Sequence, residues 1–249
     1  MIHSFFFFCQ SNMAGRGDLD KAQKINTAHI HVLRNGRWQP MFRPINPDRP
    51  FSGTNLAESF AEAYAKKYGV DVGLICCADG GTSLEQWQEG GLLYDNAVYQ
   101  ARLASRTSTI AGVLWHQGEA DCAPRLNATY QERFEKIMNG FRKDLDLYDV
   151  PFLLGGLGDF LADCPFDENL REYKKINEQL ANVAKTNAMT GFVSAEGLSG
   201  KEDLLHFNAK ALYEFGLRYF ETFEKLRDPN KVFVDKSDCD GVRSAMEVL

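Results

Sequence analysis

Short apolar runs alternate along this chain with longer segments in which apolar residues recur every three or four positions. Short runs of this kind are typical of strands buried on both faces, and the longer period is typical of helices that cover a sheet. The alternation therefore predicts βαβ units and a mostly parallel sheet. The predicted strands are Ile2–Cys9, 70–77, 109–115, 151–155 and a weaker one at 191–194.

Four segments have the apolar period of an amphipathic helix. They are 55–68, 128–145, 170–183 and 207–226. Asn55 and Glu58 have the spacing of a capping box at the start of the first segment. Between the first strand and this helix, the segment 29–33 is followed by Arg-Asn-Gly-Arg-Trp, which predicts a small β-hairpin inserted over about 29–38 with Asn35-Gly36 at its turn.

The pattern indicates one domain over residues 1–227. It contains no internal repeat and no linker rich in proline or serine. Residues 228–249 are polar, without a clear period, and are expected to form a wrapped or frayed C-terminal tail.

Composition narrows the class of protein and of partner. The 249 residues are 44% hydrophobic and 25% charged, which is ordinary for a globular protein and excludes collagen-like, low-complexity and wholly disordered chains. The net charge of −6 argues against a nucleic acid or an anionic membrane as partner. A neutral or small-molecule substrate fits better.

Two further features bear on the location of the protein. The phenylalanine-rich segment Ile2–Cys9 is too short to span a bilayer and lacks the basic flank and cleavage site of a signal peptide, so a buried strand is favoured. The six cysteines are irregularly spaced, which predicts reduced thiols rather than a disulfide framework or a zinc site. We therefore expect a cytoplasmic protein.

Polar residues follow the predicted strands, where a parallel sheet places its ligand site. A serine, a histidine and a carboxylate are the components of nucleophilic acyl transfer, because a hydroxyl needs a base and the base needs an acid to orient it. We expect Ser11 as nucleophile, His206 as base and Asp203 as acid. The backbone N–H groups of Ser11 and Gly81 and the side-chain amide of Gln117 could form the oxyanion hole.

Each of these groups alone has a simpler interpretation. A serine after a strand usually caps a turn, Gly80-Gly81 could be only a flexible turn, and Asp203 and His206 could be a helix N-terminal acid and a surface histidine. Their joint position at successive strand ends favours catalysis. His116 could contact substrate or pack beneath the site. Arg16 could bind substrate or pair with Asp18 or Asp20.

Four blocks of the chain, in this order, resemble those of the SGNH-hydrolase superfamily. They are Gln-Ser-Asn-Met-Ala-Gly-Arg-Gly from residue 10, Gly-Gly-Thr-Ser from residue 80, Trp-His-Gln-Gly-Glu-Ala-Asp from residue 115 and Asp-Leu-Leu-His-Phe from residue 203. They are most similar to the family six carbohydrate esterases, the group of acetylxylan esterases and sialate O-acetylesterases. This resemblance implies a three-layer α/β/α, flavodoxin-like domain with a mostly parallel sheet. It also implies removal of acetyl groups from carbohydrate hydroxyls, without metal or cofactor.

The resemblance also implies roles for individual residues. Ser11 matches the nucleophile, His206 the base, Gly81 or its neighbour Gly80 the glycine donor and Gln117 the side-chain donor of the oxyanion hole. Asp203 matches the acid, and Glu119 is a second candidate that could share that function. The substrate-binding candidates are Gln10, Asn12, Arg16 and His116.

Cys9 departs from the family pattern, which has glycine directly before Gln-Ser-Asn. If this position needs a positive φ, a side chain there is costly. We expect instead that Cys9 ends the strand without strain.

These inferences lead to one expected function and two alternatives. We expect a serine esterase that removes O-acetyl groups from carbohydrates such as acetylxylan or acetylated oligosaccharides through an acyl-enzyme intermediate. The alternatives are another SGNH acyl hydrolase, a lipase or thioesterase, and a non-catalytic carbohydrate-binding protein made inert by Cys9. The expected partner is an acetyl ester of a small molecule or oligosaccharide, with neither nucleic acid nor membrane. Neither the sugar nor the oligomeric state follows from the sequence.

Overall fold

A seven-stranded sheet lies at the centre of the computed structural model, which describes residues 1–236. Its strands, in chain order, are β1 (Ile2–Cys9), β2 (Ile30–Arg34), β3 (Arg37–Pro40), β4 (Asp71–Cys76), β5 (Thr109–His116), β6 (Phe152–Gly155) and β7 (Thr190–Val193). They are arranged in the order β3-β2-β4-β1-β5-β6-β7. All neighbouring pairs are parallel except β2 and β3. The five strands predicted from apolar runs are confirmed, with ends that differ by at most one residue.

The predicted hairpin is the antiparallel pair β2 and β3. Asn35 and Gly36 have φ angles of +50° and +74°, as a two-residue primed turn requires. Strand β2 also pairs in parallel with β4, so the hairpin extends the sheet at one edge. Without this insertion the order is β4-β1-β5-β6-β7, the doubly wound order of flavodoxin-like folds.

Five helices of thirteen or more residues and two short ones lie between or after the strands within residues 1–236. They are α1 (Ser11–Ala14), α2 (Leu56–Tyr68), α3 (Leu92–Ala104), α4 (Pro124–Asn127), α5 (Tyr130–Leu145), α6 (Tyr173–Thr186) and α7 (Ala209–Leu226). The four predicted helices correspond to α2, α5, α6 and α7, and the capping box of α2 is present. Helix α3 was not predicted, because three of its five buried residues are alanines, which give a weak apolar pattern. None of these helices is long and apolar enough to cross a bilayer.

Strand β1 shows why the fold has three layers. Phe5, Phe6, Phe7 and Phe8 are all inaccessible to solvent. Because side chains alternate along a strand, Phe5 packs against Phe60 and Phe223 of α2 and α7, whereas Phe6 and Phe8 pack against Phe141 of α5. The apolar run is therefore buried from both sides, as expected for a central parallel strand.

The segment that follows α7 crosses the end of the sheet opposite to the carboxyl ends of the strands. Phe233 stacks on His3 at the start of β1, with ring centroids 3.9 Å apart, and Lys231 forms an ion pair with Asp149 at 2.8 Å. Residues 228–236 are thus wrapped against the domain and not frayed, which was one of the two alternatives expected for the tail. The rest of the predicted tail, 237–249, lies outside the described residues.

Candidate active site

The candidate site lies at the carboxyl end of β1, which is the topological switch point of the sheet. Strands β4 and β5 lie on opposite sides of β1, so the order of the strands reverses at β1. The loops that follow these three strands therefore leave a crevice at the carboxyl ends of the strands. Strand β1 ends at Cys9, and Ser11 begins the short helix α1. Gly80 belongs to the loop after β4, and a Cβ atom on it would lie 3.5 Å from Cβ of Ser11.

Ser11, His206 and Asp203 form a continuous chain of hydrogen bonds. The Ser11 hydroxyl lies 3.1 Å from Nε2 of His206, although the two residues are 195 positions apart. Nδ1 of His206 lies 2.8 Å from a carboxylate oxygen of Asp203. Both distances are within the reach required of a nucleophile, a base and an orienting acid. The structure therefore brings together the three residues that the sequence predicted as a catalytic triad.

The loop before α7 keeps Asp203 ionised and in place. Its second carboxylate oxygen accepts hydrogen bonds from the backbone N–H groups of Leu205, at 2.9 Å, and His206, at 3.0 Å. Burial acts to raise the pKa of Asp203, but the hydrogen bonds from the His206 ring and from these N–H groups outweigh it and hold the pKa below its usual value. An ionised carboxylate at Nδ1 leaves Nε2 free to accept the serine proton.

Two backbone N–H groups beside Ser11 fit the predicted oxyanion hole. Within residues 1–236, neither the N–H of Ser11 nor that of Gly81 has an acceptor. Gly81 has a φ of +81°, a conformation that glycine adopts readily. The N–H of Gly80, the other candidate, donates to Asp48 at 2.9 Å. Of the two glycines, Gly81 is therefore the one with a donor to offer.

The contacts of Gln117 do not support its expected role in the oxyanion hole. This side chain is inaccessible to solvent. Its amide nitrogen donates to Asp121 at 2.6 Å and to the carbonyl of Thr82 at 3.3 Å, which uses both hydrogens. As placed, Gln117 joins the loops after β4 and β5 and has no hydrogen left for a bound oxyanion.

Glu119, the second candidate for the acid, contacts the histidine loop through Asn12 rather than directly. One carboxylate oxygen of Glu119 accepts a hydrogen bond from the Asn12 amide at 2.6 Å. Asn12 also donates to the carbonyl of Leu205 and accepts from the N–H of Phe207, the two neighbours of His206. Glu119 and Asn12 thus brace the loop that carries the base, whereas Asp203 contacts the imidazole itself.

The four side chains expected to bind substrate are all at least 95% buried. Asn12 makes the internal contacts just described, and Gln10 is 3% exposed. Arg16 forms a buried, two-bonded ion pair with Asp48, not with Asp18 or Asp20 as the alternative interpretation had it. His116 is inaccessible, and its ring makes edge-to-face contacts with Phe207 and Phe215. As placed, these four side chains are buried beneath the loops and do not face the open site, and for His116 this is the packing role that the sequence analysis left open.

Cys9 has a φ of +139°, outside the range that residues with side chains favour. The expectation that it ends the strand without strain is therefore wrong. The thiol is fully buried, and burial, reinforced by the charges of Glu119 and Asp121, raises its pKa, so it stays protonated. The triad distances are nevertheless intact directly after this residue.

The strained backbone at Cys9 predicts an unusual order of stability. At ordinary positions glycine is less stable than alanine by about 0.5–1 kcal/mol, but a positive φ reverses that preference. We expect Cys9→Gly to have a free energy of unfolding about 1 kcal/mol higher than Cys9→Ala. Urea unfolding of the two variants measures the difference. Both variants lack the thiol, so the loss of its packing contributes equally to the two free energies of unfolding. A Cys9→Ala variant as stable as Cys9→Gly would contradict the prediction.

Four residues of the site carried no predicted role. Asp121 is inaccessible and accepts hydrogen bonds from Gln117, from the N–H of Leu84 and from Arg133. The loop after β4 is contacted by Asn46, Asp48 and Arg49. These three residues lie in a segment whose apolar residues have neither the helical nor the strand period. Their only sequence signal was polarity in a turn-rich stretch. Within residues 1–236 no group of three or more His, Cys, Asp or Glu side chains is arranged to hold a metal ion.

Known proteins match this chain over most of its length. A protein from Arabidopsis thaliana that is named as a probable carbohydrate esterase is 27% identical over 242 residues, which cover 88% of this chain and 89% of that protein. The X-ray structure of the Arabidopsis protein has a TM-score of 0.77 at 24% identity and covers 90% of this chain and 98% of its own. The crystal structure of NanS has a TM-score of 0.73 at 17% identity, covering 90% and 97%.

The structural likenesses show the fold, a three-layer α/β/α arrangement around a mostly parallel sheet. The family is shown by sequence. Residues 2–225, nearly the whole of the described chain, match the family described as carbohydrate esterase, sialic acid-specific acetylesterase. This chain therefore belongs to the carbohydrate esterase family of sialic acid-specific acetylesterases.

Proposed function

We propose that this protein is a serine esterase that removes O-acetyl groups from carbohydrates through an acetyl-enzyme intermediate. The observation that carries the proposal is the chain of hydrogen bonds from Ser11 through His206 to Asp203 at the switch point of the sheet. Membership of a carbohydrate esterase family supports the substrate class.

The geometry supports a two-step reaction. Ser11 Oγ attacks the acetyl carbonyl carbon while its proton passes to Nε2 of His206. The N–H groups of Ser11 and Gly81 would stabilise the negative oxygen of the tetrahedral intermediate. When this collapses, the bond between the carbonyl carbon and the sugar oxygen breaks, His206 gives its proton to that oxygen, the sugar leaves with a free hydroxyl, and an acetyl group remains on Ser11. Water then attacks that ester while His206 takes its proton; the bond from Ser11 Oγ to the acetyl carbon breaks, His206 returns the proton to Ser11, and acetate leaves.

The proposal is tested by acetate release from O-acetylated xylo-oligosaccharides and O-acetylated sialic acids. We expect release from at least one of these, and hydrolysis of an aryl acetate at least about tenfold faster than that of the matching octanoate, since a pocket shaped for acetyl excludes longer chains. Faster hydrolysis of the octanoate would favour the lipase or thioesterase alternative. Binding of an acetylated sugar with no release of acetate would favour the non-catalytic one.

A further inference from the structure

The side chain of Asn46 forms two hydrogen bonds with the backbone of the loop after β4. Its side-chain amide donates to the carbonyl of Ala78 at 2.9 Å, and its side-chain oxygen accepts from the N–H of Ala78 at 3.1 Å. Asn46 is only 5% exposed, so both bonds are protected from water. We name residues 46–49 the clamp segment and residues 78–82 the oxyanion loop, because the latter contains Gly81.

Asp48, two residues further along the clamp segment, joins the oxyanion loop to the nucleophile turn. One of its carboxylate oxygens accepts from the N–H of Gly80 at 2.9 Å and from the guanidinium of Arg16 at 2.7 Å. Arg16 in turn donates to the carbonyl of Gly15, at the end of the helix that begins with Ser11. One buried carboxylate therefore contacts the backbone directly before Gly81 and a side chain five residues after Ser11.

Arg49 contacts the outer side of the same loop. Its guanidinium donates to the carbonyl of Gly80 at 3.0 Å and forms an ion pair with Asp79 at 2.8 Å. Together, Asn46, Asp48 and Arg49 bond to the backbone of residues 78 and 80 and to the side chain of residue 79. On its other side the loop contacts β1, where the N–H of Asp79 donates to the carbonyl of Cys9 at 2.7 Å.

We propose that Asn46, Asp48 and Arg49 are positioning residues that set the place of the Gly81 N–H relative to Ser11, and so the geometry of the oxyanion hole. The inference rests on the function proposed above. None of the three needs to contact substrate. Residue Gly80 is hydrogen-bonded at both its N–H and its carbonyl, and the carbonyl belongs to the same peptide plane as the Gly81 N–H. The bond from Arg49 to that carbonyl therefore fixes the direction of the catalytic donor.

The size of the expected effect follows from the geometry of catalysis. Loss of one oxyanion donor costs about 10²–10³ in kcat, and a misplacement of about 1 Å can cost about 10²-fold. A loosened loop displaces Gly81 without removing it. We therefore expect kcat to fall by about 10–10²-fold with little change in KM, since the donor acts mainly on the tetrahedral intermediate.

Asn46→Ala is the main test, with Asn177→Ala as its matched control. Asn177 makes the same two-bond pairing, with the N–H and the carbonyl of Leu157, in the loop after β6. The measurements are kcat and KM for an aryl acetate and the inhibition constant of methylboronic acid, whose tetrahedral adduct with Ser11 requires the oxyanion hole. Asn46→Ala should lose kcat and boronate affinity by similar factors, whereas Asn177→Ala should change neither.

Arg49→Lys is the second test, because Arg49 is 41% exposed and this change does not threaten folding. Lysine keeps the positive charge beside Asp79 but cannot make the same forked contact with both Asp79 and the Gly80 carbonyl. We expect a loss of kcat of about three- to tenfold, with weaker methylboronic acid inhibition. Folded variants at Asn46 and Arg49 with wild-type kcat and boronate affinity would overturn the proposal. So would equal losses in the Asn46 and Asn177 variants.

The rate at which a fluorophosphonate labels Ser11 separates this proposal from the proposed function. Labelling forms a bond from Ser11 Oγ to phosphorus and expels fluoride, so it uses the oxyanion hole but no sugar. The protein could release no acetate from sugars and still be labelled at Ser11. In that case, labelling that is slower in Asn46→Ala than in wild type and in Asn177→Ala would still support the positioning role. Equal labelling rates in wild type, Asn46→Ala and Arg49→Lys would exclude it.

Discussion

Ser11→Ala should lower kcat for an aryl acetate by about 10⁴–10⁶-fold, the loss expected when the nucleophile of a serine triad is removed. The reason is that no second hydroxyl could replace Ser11 as the nucleophile. Within residues 1–236, the hydroxyl hydrogen-bonded to Nε2 of His206 is that of Ser11 alone. Alanine leaves the N–H of residue 11 in the oxyanion hole, so a small residual rate can remain. Initial rates with purified wild-type and variant proteins measure the loss.

Ser105→Ala is a suitable control for that experiment. Ser105 directly follows α3, and its hydroxyl donates to the carbonyl of Ala101 in the last turn of that helix. Its removal should leave kcat unchanged. A Ser11→Ala variant that keeps the wild-type rate would exclude Ser11 as nucleophile, and with it the proposed mechanism.

Asp203→Asn should lower kcat by about 10³–10⁴-fold, the second largest effect we expect. An asparagine can offer an N–H to Nδ1 of His206, which then favours the tautomer with its proton on Nε2. That tautomer cannot accept the proton of Ser11. The backbone N–H groups of Leu205 and His206 retain an acceptor at residue 203, so the loop should keep its shape.

Glu119→Gln is the matched comparison, since it makes the same change to the other candidate acid. Glutamine keeps an oxygen that can accept from Asn12, so only the strength of one charge-assisted hydrogen bond is reduced. We expect a loss in kcat of less than about tenfold, in keeping with about 1 kcal/mol for such a bond. A larger loss in Glu119→Gln than in Asp203→Asn would reverse the assignment of the acid.

Most of the fold could be predicted from the sequence because the burial of strands and helices leaves a clear pattern of apolar positions along the chain. Strands buried on both faces appear as uninterrupted apolar runs, of which Phe5 to Phe8 is the clearest. Helix α3 was missed because alanine supplies most of its buried face. The hairpin was predicted from Asn35-Gly36, but its pairing with β4 is a contact between distant segments that no local pattern encodes.

The candidate site was predictable only in part, for a related reason. Ser11, Asp203 and His206 could be found because each follows a recognisable strand or precedes a helix. The internal roles of Arg16 and His116 could not, since polarity alone does not tell whether a side chain faces substrate or supports a loop. Asn46, Asp48 and Arg49 act through side-chain bonds to residues more than thirty positions away. Such pairings become visible only in three dimensions.

The most direct test of the central claim, that Ser11 is a nucleophile activated by His206, is mass-spectrometric mapping of the protein after reaction with a fluorophosphonate. We predict one adduct per chain, on the peptide that contains Ser11, and its loss in a folded His206→Ala variant. An adduct on a different serine, or equal labelling of Ser11 with and without His206, would contradict the account.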